Sequence, residues 1–111
     1  MIMEEDMFYQ NYSHAYQFEQ SRKSTECEKK FIELRKELYE LDGLHRQCAI
    51  WRFAPYMQPA DLQKRIADTE CRCTRTFCEM GKAFFELDEW HKQSVILRCM
   101  KHTMSYAMFA A

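Results

Sequence analysis

Apolar side chains recur at three- and four-residue steps along nearly the whole chain, the period of a helix and not of a strand. The clearest stripe is Phe31, Leu34, Leu38, Leu41, His45 and Cys48, widened by Leu44 and Trp51. A second runs Leu62, Ile66, Thr69, Cys73, Phe77, Met80, Phe84 and Leu87. Ahead of the first, Met7, Phe8, Tyr12, Ala15 and Tyr16 keep the same rhythm. Beyond the second, Trp90, Leu97, Met100, Met104 and Met108 continue it. The pattern predicts helices over about 4–22, 25–54, 61–87 and 89–109, the last two continuous unless Asp88-Glu89 starts a new one.

Local signals set these boundaries. Arg22 and Lys23 suit a last turn, where cations meet the negative end of the helix dipole. Thr25-Glu26-Cys27-Glu28 has the form of a capping box, in which Thr25 and Glu28 satisfy each other's free backbone donors. Gly43 costs about 1 kcal/mol relative to alanine inside a helix, which so much periodic burial absorbs. Pro55 lacks a donor and restricts the residue before it, ending the first long helix near Ala54. Asp61 is the expected N-cap or first-turn acid of the next.

The only clear connector, Pro55-Tyr56-Met57-Gln58-Pro59, is short enough to force antiparallel neighbours. Folding about residue 58 sets Cys48 beside residues 66–70, Leu38 beside Phe77 and Phe31 beside Phe84, so the two stripes face each other. The expected fold is a single all-α domain over residues 1–111: an antiparallel helical hairpin extended into a three- or four-helix bundle. Left extended, the hairpin would be about 70–75 Å long at 1.5 Å per residue. Folding back near Asp88 and near Ser24 would make it compact. The aromatic and methionine content exceeds what one hairpin seam can bury, so the expected state is oligomeric.

Composition narrows the classes. A chain of 111 residues holds one domain, and two Gly with two Pro cannot supply the turns of an all-β fold. The formal charge of −1 draws in neither nucleic acid nor an anionic bilayer globally. No apolar run approaches a membrane span, and Glu4, Glu5 and Asp6 stand where a secretory signal carries cations. An intracellular, cytoplasmic location follows as the expectation. Cys27, Cys48, Cys71, Cys73, Cys78 and Cys99 form no CxxC pair and fall within helical periodicity, so they are expected as free thiols.

Candidate chemistry is sparse. His45-x-x-Cys48 and Glu70-x-x-Cys73 fall opposite each other in the folded hairpin and offer zinc-type ligands. The bland alternative is a His45–Glu70 contact and ordinary packing. Asp42/His45 and Asp88/His91 match the helical carboxylate–histidine spacing of di-metal bundles, yet in an extended hairpin they lie about 20 Å apart. No strained nucleophile turn, oxyanion loop or glycine-rich phosphate loop accompanies the cysteines and histidines. Neither a catalytic set nor a cofactor is expected.

Two surfaces stand out instead. Arg46, Arg52, Lys64, Arg65, Arg72 and Arg75 make residues 46–75 net +3, against −4 for the remainder, which predicts a basic tip on an acidic shaft. Met100, Met104 and Met108 share one helical face, and with Phe109 they form the expected partner-binding surface. The apolar, uncapped sequence through Ala111 is expected to dock on something or to continue into a longer chain. The leading expectation is a non-enzymatic helical interaction module that self-associates or joins a larger complex. The alternatives are a membrane-surface hairpin that resembles BAR-type modules in architecture, its basic tip meeting anionic lipid, and a zinc-binding helical protein. Nucleic-acid binding ranks lowest.

Overall fold

A computed structural model describes the backbone of residues 2–110 and the side chains of residues 14–103. Three helices, α1 (Ile2–Ile50), α2 (Leu62–Phe85) and α3 (Glu89–Ala110), make up almost all of it, with no strand among the described residues. Short 3-10 turns at Trp51–Phe53 and Pro55–Met57 carry the chain from α1 to α2. The molecule measures 77 × 31 × 14 Å, with a radius of gyration of 20.8 Å. A compact domain of this length would have a radius near ~13 Å, so the shape is a rod. Its length is that of α1, whose 49 residues span about 73 Å.

The described residues are all-helical, as the periodicity predicts, and they form three helices, the smaller of the two numbers expected, with different boundaries. α1 passes through the expected break near Ser24 without interruption. Thr25 donates its hydroxyl to Ser21 O, four residues back, at 2.9 Å, as a mid-helix threonine does. Glu28 reaches across to α3, pairing with Arg98 at 3.3 Å and His102 at 2.9 Å. Arg98 also donates to the buried Ser24 hydroxyl. The apparent capping residues are therefore tertiary anchors. At the other end α1 stops at Ile50, four residues before Ala54, and the 3-10 turns take over.

α2 runs back along α1. Its inward positions are Leu62, Ile66, Thr69, Cys73, Thr76, Met80, Ala83 and, just past its end, Leu87. These alternate strictly in steps of four and three, the rhythm of a helix in a two-helix seam. Phe77, expected in the seam, is 59 % exposed, and Leu38 is also largely exposed. Cys48 lies beside Gln63, with Gln63 Nε2 3.5 Å from its sulfur, a turn nearer the tip than residues 66–70. Phe31 and Phe84 do come together, on the wall of one apolar cavity.

The seam has an apolar cluster at each end, and between them polar contacts flank the buried Leu34 and Cys73. Near the tip, Leu44, Leu62 and Ile66 are buried, with Leu41, Cys48 and Trp51 against them. At the far end Cys27, Ala83, Leu87 and Val95 form a second core, flanked by Met80, Phe84 and Cys99. Between them Thr76 donates to Glu37 at 2.9 Å, Arg72 pairs with Glu40 at 3.3 Å, and Lys30 pairs with Glu79 at 2.7 Å.

α2 and α3 are separate helices. The chain turns at Glu86–Asp88, and α3 then runs in the direction of α1. Tyr16 meets Asp88, Ser24 meets Arg98, and Glu28 meets His102 in order. Asp88 caps α3: its Oδ1 accepts from the His91 backbone at 2.8 Å.

Candidate docking surfaces

α3 is the unusual element. The residues it turns inward are His91 and Val95, with Arg98, Cys99 and His102 half-buried beside them. On the opposite side Trp90 is 71 % exposed, Leu97 60 % and Met100 51 %. Trp90 and Leu97 are seven residues apart, so they lie on one face, the face its sequence makes most apolar. The helix is thus docked by its more polar side.

Specific polar partners account for that orientation. Tyr16 donates to Asp88 Oδ2 at 2.5 Å, and Asp88 Oδ1 is 2.8 Å from His91 Nδ1 as well as from its backbone nitrogen. These bonds, the Tyr16 hydroxyl's foremost, hold the Asp88 carboxyl down to about 2. Asp88 is therefore ionised and can only accept, so the proton of that ring bond sits on His91 Nδ1. Gln20 completes the corner, accepting from Asp88 N at 2.9 Å and donating to Glu86 O at 3.3 Å. Lys23 pairs with Glu86 at 3.2 Å. Turning α3 over would strand these groups, and a buried polar group without a partner costs about 1–3 kcal/mol.

Beside the exposed face of α3 lies an apolar cavity of about 490 Å3. α1 contributes Phe31 to it, α2 contributes Phe77 and Phe84, and α3 contributes Ile96 and Met100. Gly81 opens its α2 wall, since nothing lies within 4 Å of where a Cβ would stand. It is an open trough with almost no polar lining, suited to apolar side chains and lacking the few fixed polar groups that orient a small ligand.

Of the expected partner-binding residues, Met100 lines this trough. Met104, Met108 and Phe109 lie outside the residues whose side chains are described. Sequence periodicity shows Trp90 and Leu97 as apolar but not as outward-facing. Nothing in their own segment distinguishes the two faces, because the partners of Asp88, Arg98 and His102 lie far away in α1.

The basic residues separate into two groups. Arg72 and Arg75 stand on the shaft, Arg72 bound to Glu40 and Arg75 beside Glu37. Arg46 pairs with Asp42 at 2.7 Å. Arg52, Lys64 and Arg65 remain at the tip, exposed and in no ion pair among the described residues. The tip also exposes Ile50, Phe53, Tyr56 and Met57.

The zinc candidates do not converge. His45 Nε2 lies 3.6 Å from Glu70, but Cys48 faces Gln63 and Cys73 sits lower in the seam. Burial pushes the Cys73 thiol up, and Glu37 adds to this, which disfavours the thiolate a metal needs. Burial likewise raises Cys27, and it pushes Cys99 up to about 11. No cluster of three or more His, Cys, Asp or Glu suited to a metal occurs among the described residues. Asp42 and Asp88 are occupied by Arg46 and by the α3 cap, and Asp88, beside Tyr16, lies about 40 Å from Asp42 along α1. Among the described residues no helix is long and apolar enough to cross a membrane. Compared with known proteins, the chain matches no family model, no curated protein and no solved structure.

Proposed function

We propose that the protein is a non-enzymatic helical assembly module that self-associates through the outward face of α3. The observation that carries this reading is the exposure of Trp90, Leu97 and Met100 on a helix held in place by polar contacts on its other side. Such a face costs solubility when left wet, and it gains most from a second helix. Its seven-residue step, 90 to 97, continues in sequence to 104, the repeat of helix–helix seams. A second copy suits it. Antiparallel pairing of two α3 helices about Leu97 puts Lys101 opposite Gln93, so no like charges meet across the two-fold. The trough at Phe77, Ile96 and Met100 widens the same surface.

Sedimentation equilibrium at micromolar concentration tests it. Wild type is expected above monomer mass, and the double variant Trp90→Glu, Leu97→Glu is expected at monomer mass with unchanged helical circular dichroism. A monomeric wild type, or an oligomer indifferent to both substitutions, would overturn the reading.

A further inference from the structure

The tip carries a second exposed apolar patch, remote from α3 and built differently. Phe53 is 93 % exposed and Tyr56 87 %, the two most exposed large apolar side chains among the described residues. Ile50 and Met57 flank them, both more than half exposed. None of the four side chains lines a described cavity, and at this exposure they offer a partner projecting rings in place of an enclosed pocket.

Four backbone amides of this turn are bonded within it. Ala54 N donates to Trp51 O, Met57 N to Ala54 O, Gln58 N to Pro55 O, and Leu62 N to Pro59 O, all at 3.0–3.2 Å. Pro55 and Pro59 have no donor to satisfy. These four bonds lower the cost of bringing irregular backbone toward hydrocarbon, where an amide without a partner is expensive.

Charge completes the picture. Arg52, in the first 3-10 turn, and Lys64 and Arg65, in the first turn of α2, share the tip with the aromatic residues, exposed and outside every ion pair among the described residues. Between residues 50 and 65 the only acid is Asp61. Exposed aromatic side chains at one end of a rod, with free cations at the same end, match the boundary of an anionic bilayer. There, amphipathic rings lodge at headgroup depth and bases meet lipid phosphates and carboxylates.

We infer that the hairpin tip is a peripheral membrane contact: Ile50, Phe53, Tyr56 and Met57 enter the headgroup–acyl boundary of an anionic bilayer while Arg52, Lys64 and Arg65 bind the headgroups around them. The contact is shallow and reversible, since four side chains replace a spanning helix. It is independent of α3, which lies at the other end of the hairpin.

The protein supplies its own reporter, because Trp51 lies at the tip and Trp90 is the only other tryptophan. In a Trp90→Phe background, emission of Trp51 is followed while vesicles are added. One set is pure phosphatidylcholine, and the other an equimolar mixture with phosphatidylserine. The expected result is binding and a blue shift with the mixed vesicles only, reversed by high salt. Soluble glycerophosphoserine should not reproduce it, because a headgroup alone offers no apolar layer. Replacing Arg52, Lys64 and Arg65 together by Gln should weaken binding on the order of a hundredfold, at one base's worth of attraction each. Phe53→Ser with Tyr56→Ser should abolish the blue shift while helicity is kept, these side chains making no core contact. Absence of binding to the mixed vesicles at low salt would overturn the inference. So would equal binding to neutral vesicles, or binding to mixed vesicles that survives loss of both rings, the result expected if the bases alone attract lipid. Absence of vesicle binding is the result expected if the tip serves a protein partner.

Discussion

The α1–α2 seam at the tip and the docking of α3 at the far end rest on opposite means. At the tip end, α1 and α2 meet through aliphatic side chains, Leu44 against Leu62 and Ile66, with Leu62 fully buried. At the far end, α3 is fixed by a chain of polar contacts through Tyr16, Gln20, Ser24, Glu28, Asp88, His91, Arg98 and His102, with only Val95 fully inserted among apolar neighbours. Apolar burial is non-directional and tolerates sliding. Hydrogen bonds fix one orientation, and here they hold a helix with its greasier face in water. The first arrangement serves stability, and the second presents a surface.

The largest expected effect breaks the apolar end. Leu62→Ala removes the most deeply buried large side chain and should lower unfolding stability by about 3 kcal/mol, a mid-range cost for a leucine cavity. Urea denaturation monitored by circular dichroism measures it. A loss below about 1 kcal/mol would show that the tip core does not carry the hairpin.

A smaller and more local effect separates the polar end. Asp88→Ala removes the N-cap of α3 together with its bonds to Tyr16 and His91. The cap alone is worth about 1 kcal/mol. Amide exchange should accelerate over residues 89–103 while residues 62–80 stay protected, because α2 keeps its seam with α1. Acid supplies a second reading of the same group. The folded Asp88 carboxyl is held at about 2, below its ordinary 3.8, so it binds protons less readily folded than unfolded. Its contribution is present in full above about pH 4 and is lost as the pH falls toward 2, on the order of 1–2 kcal/mol. Wild type should show that acid loss of α3 protection, and Asp88→Ala should lack it. Equal acid sensitivity in both would mean that the corner at Asp88 does not hold α3.

Much of this was legible from the residues, and the misreadings have a common source. Helical period and the paired prolines are local, and they point to α2, the tip and the antiparallel hairpin. The break expected near Ser24 is absent because a capping box is only a set of side-chain options. Thr25 finds Ser21 O within its own helix, and Glu28 finds Arg98 and His102 more than 70 positions away. Which face of α3 turns inward depends on the same distant partners. Arg72 and Arg75 are basic in sequence, but they lie midway along α2, on the shaft and not the tip, Arg72 paired with Glu40 and Arg75 near Glu79. For the docking surface, sequence shows an apolar stripe at Trp90, Leu97 and Met100 and leaves its direction open.

The smallest expected effect tests the seam of α2, where two readings of the same residues compete. Hydropathy favours Phe77 over Thr76 as the core residue, while the strict alternation of four and three from Leu62 selects Thr76. In the fold Thr76 is buried and donates to both oxygens of Glu37, at 3.0 and 2.9 Å, and Phe77 points away. Thr76→Val keeps the shape and deletes those bonds, which should cost about 1 kcal/mol. Phe77→Ser, on the exposed side, should change monomer stability by no more than about 0.5 kcal/mol. Both are measured by urea denaturation in the monomeric Trp90→Glu, Leu97→Glu background, so that any contact Phe77 makes with a second copy does not enter. A reversed order, with Phe77→Ser the costlier change, would rotate α2 by one residue about its axis. That rotation would move Phe77 into the seam and remove one wall of the trough on which the wider docking surface depends.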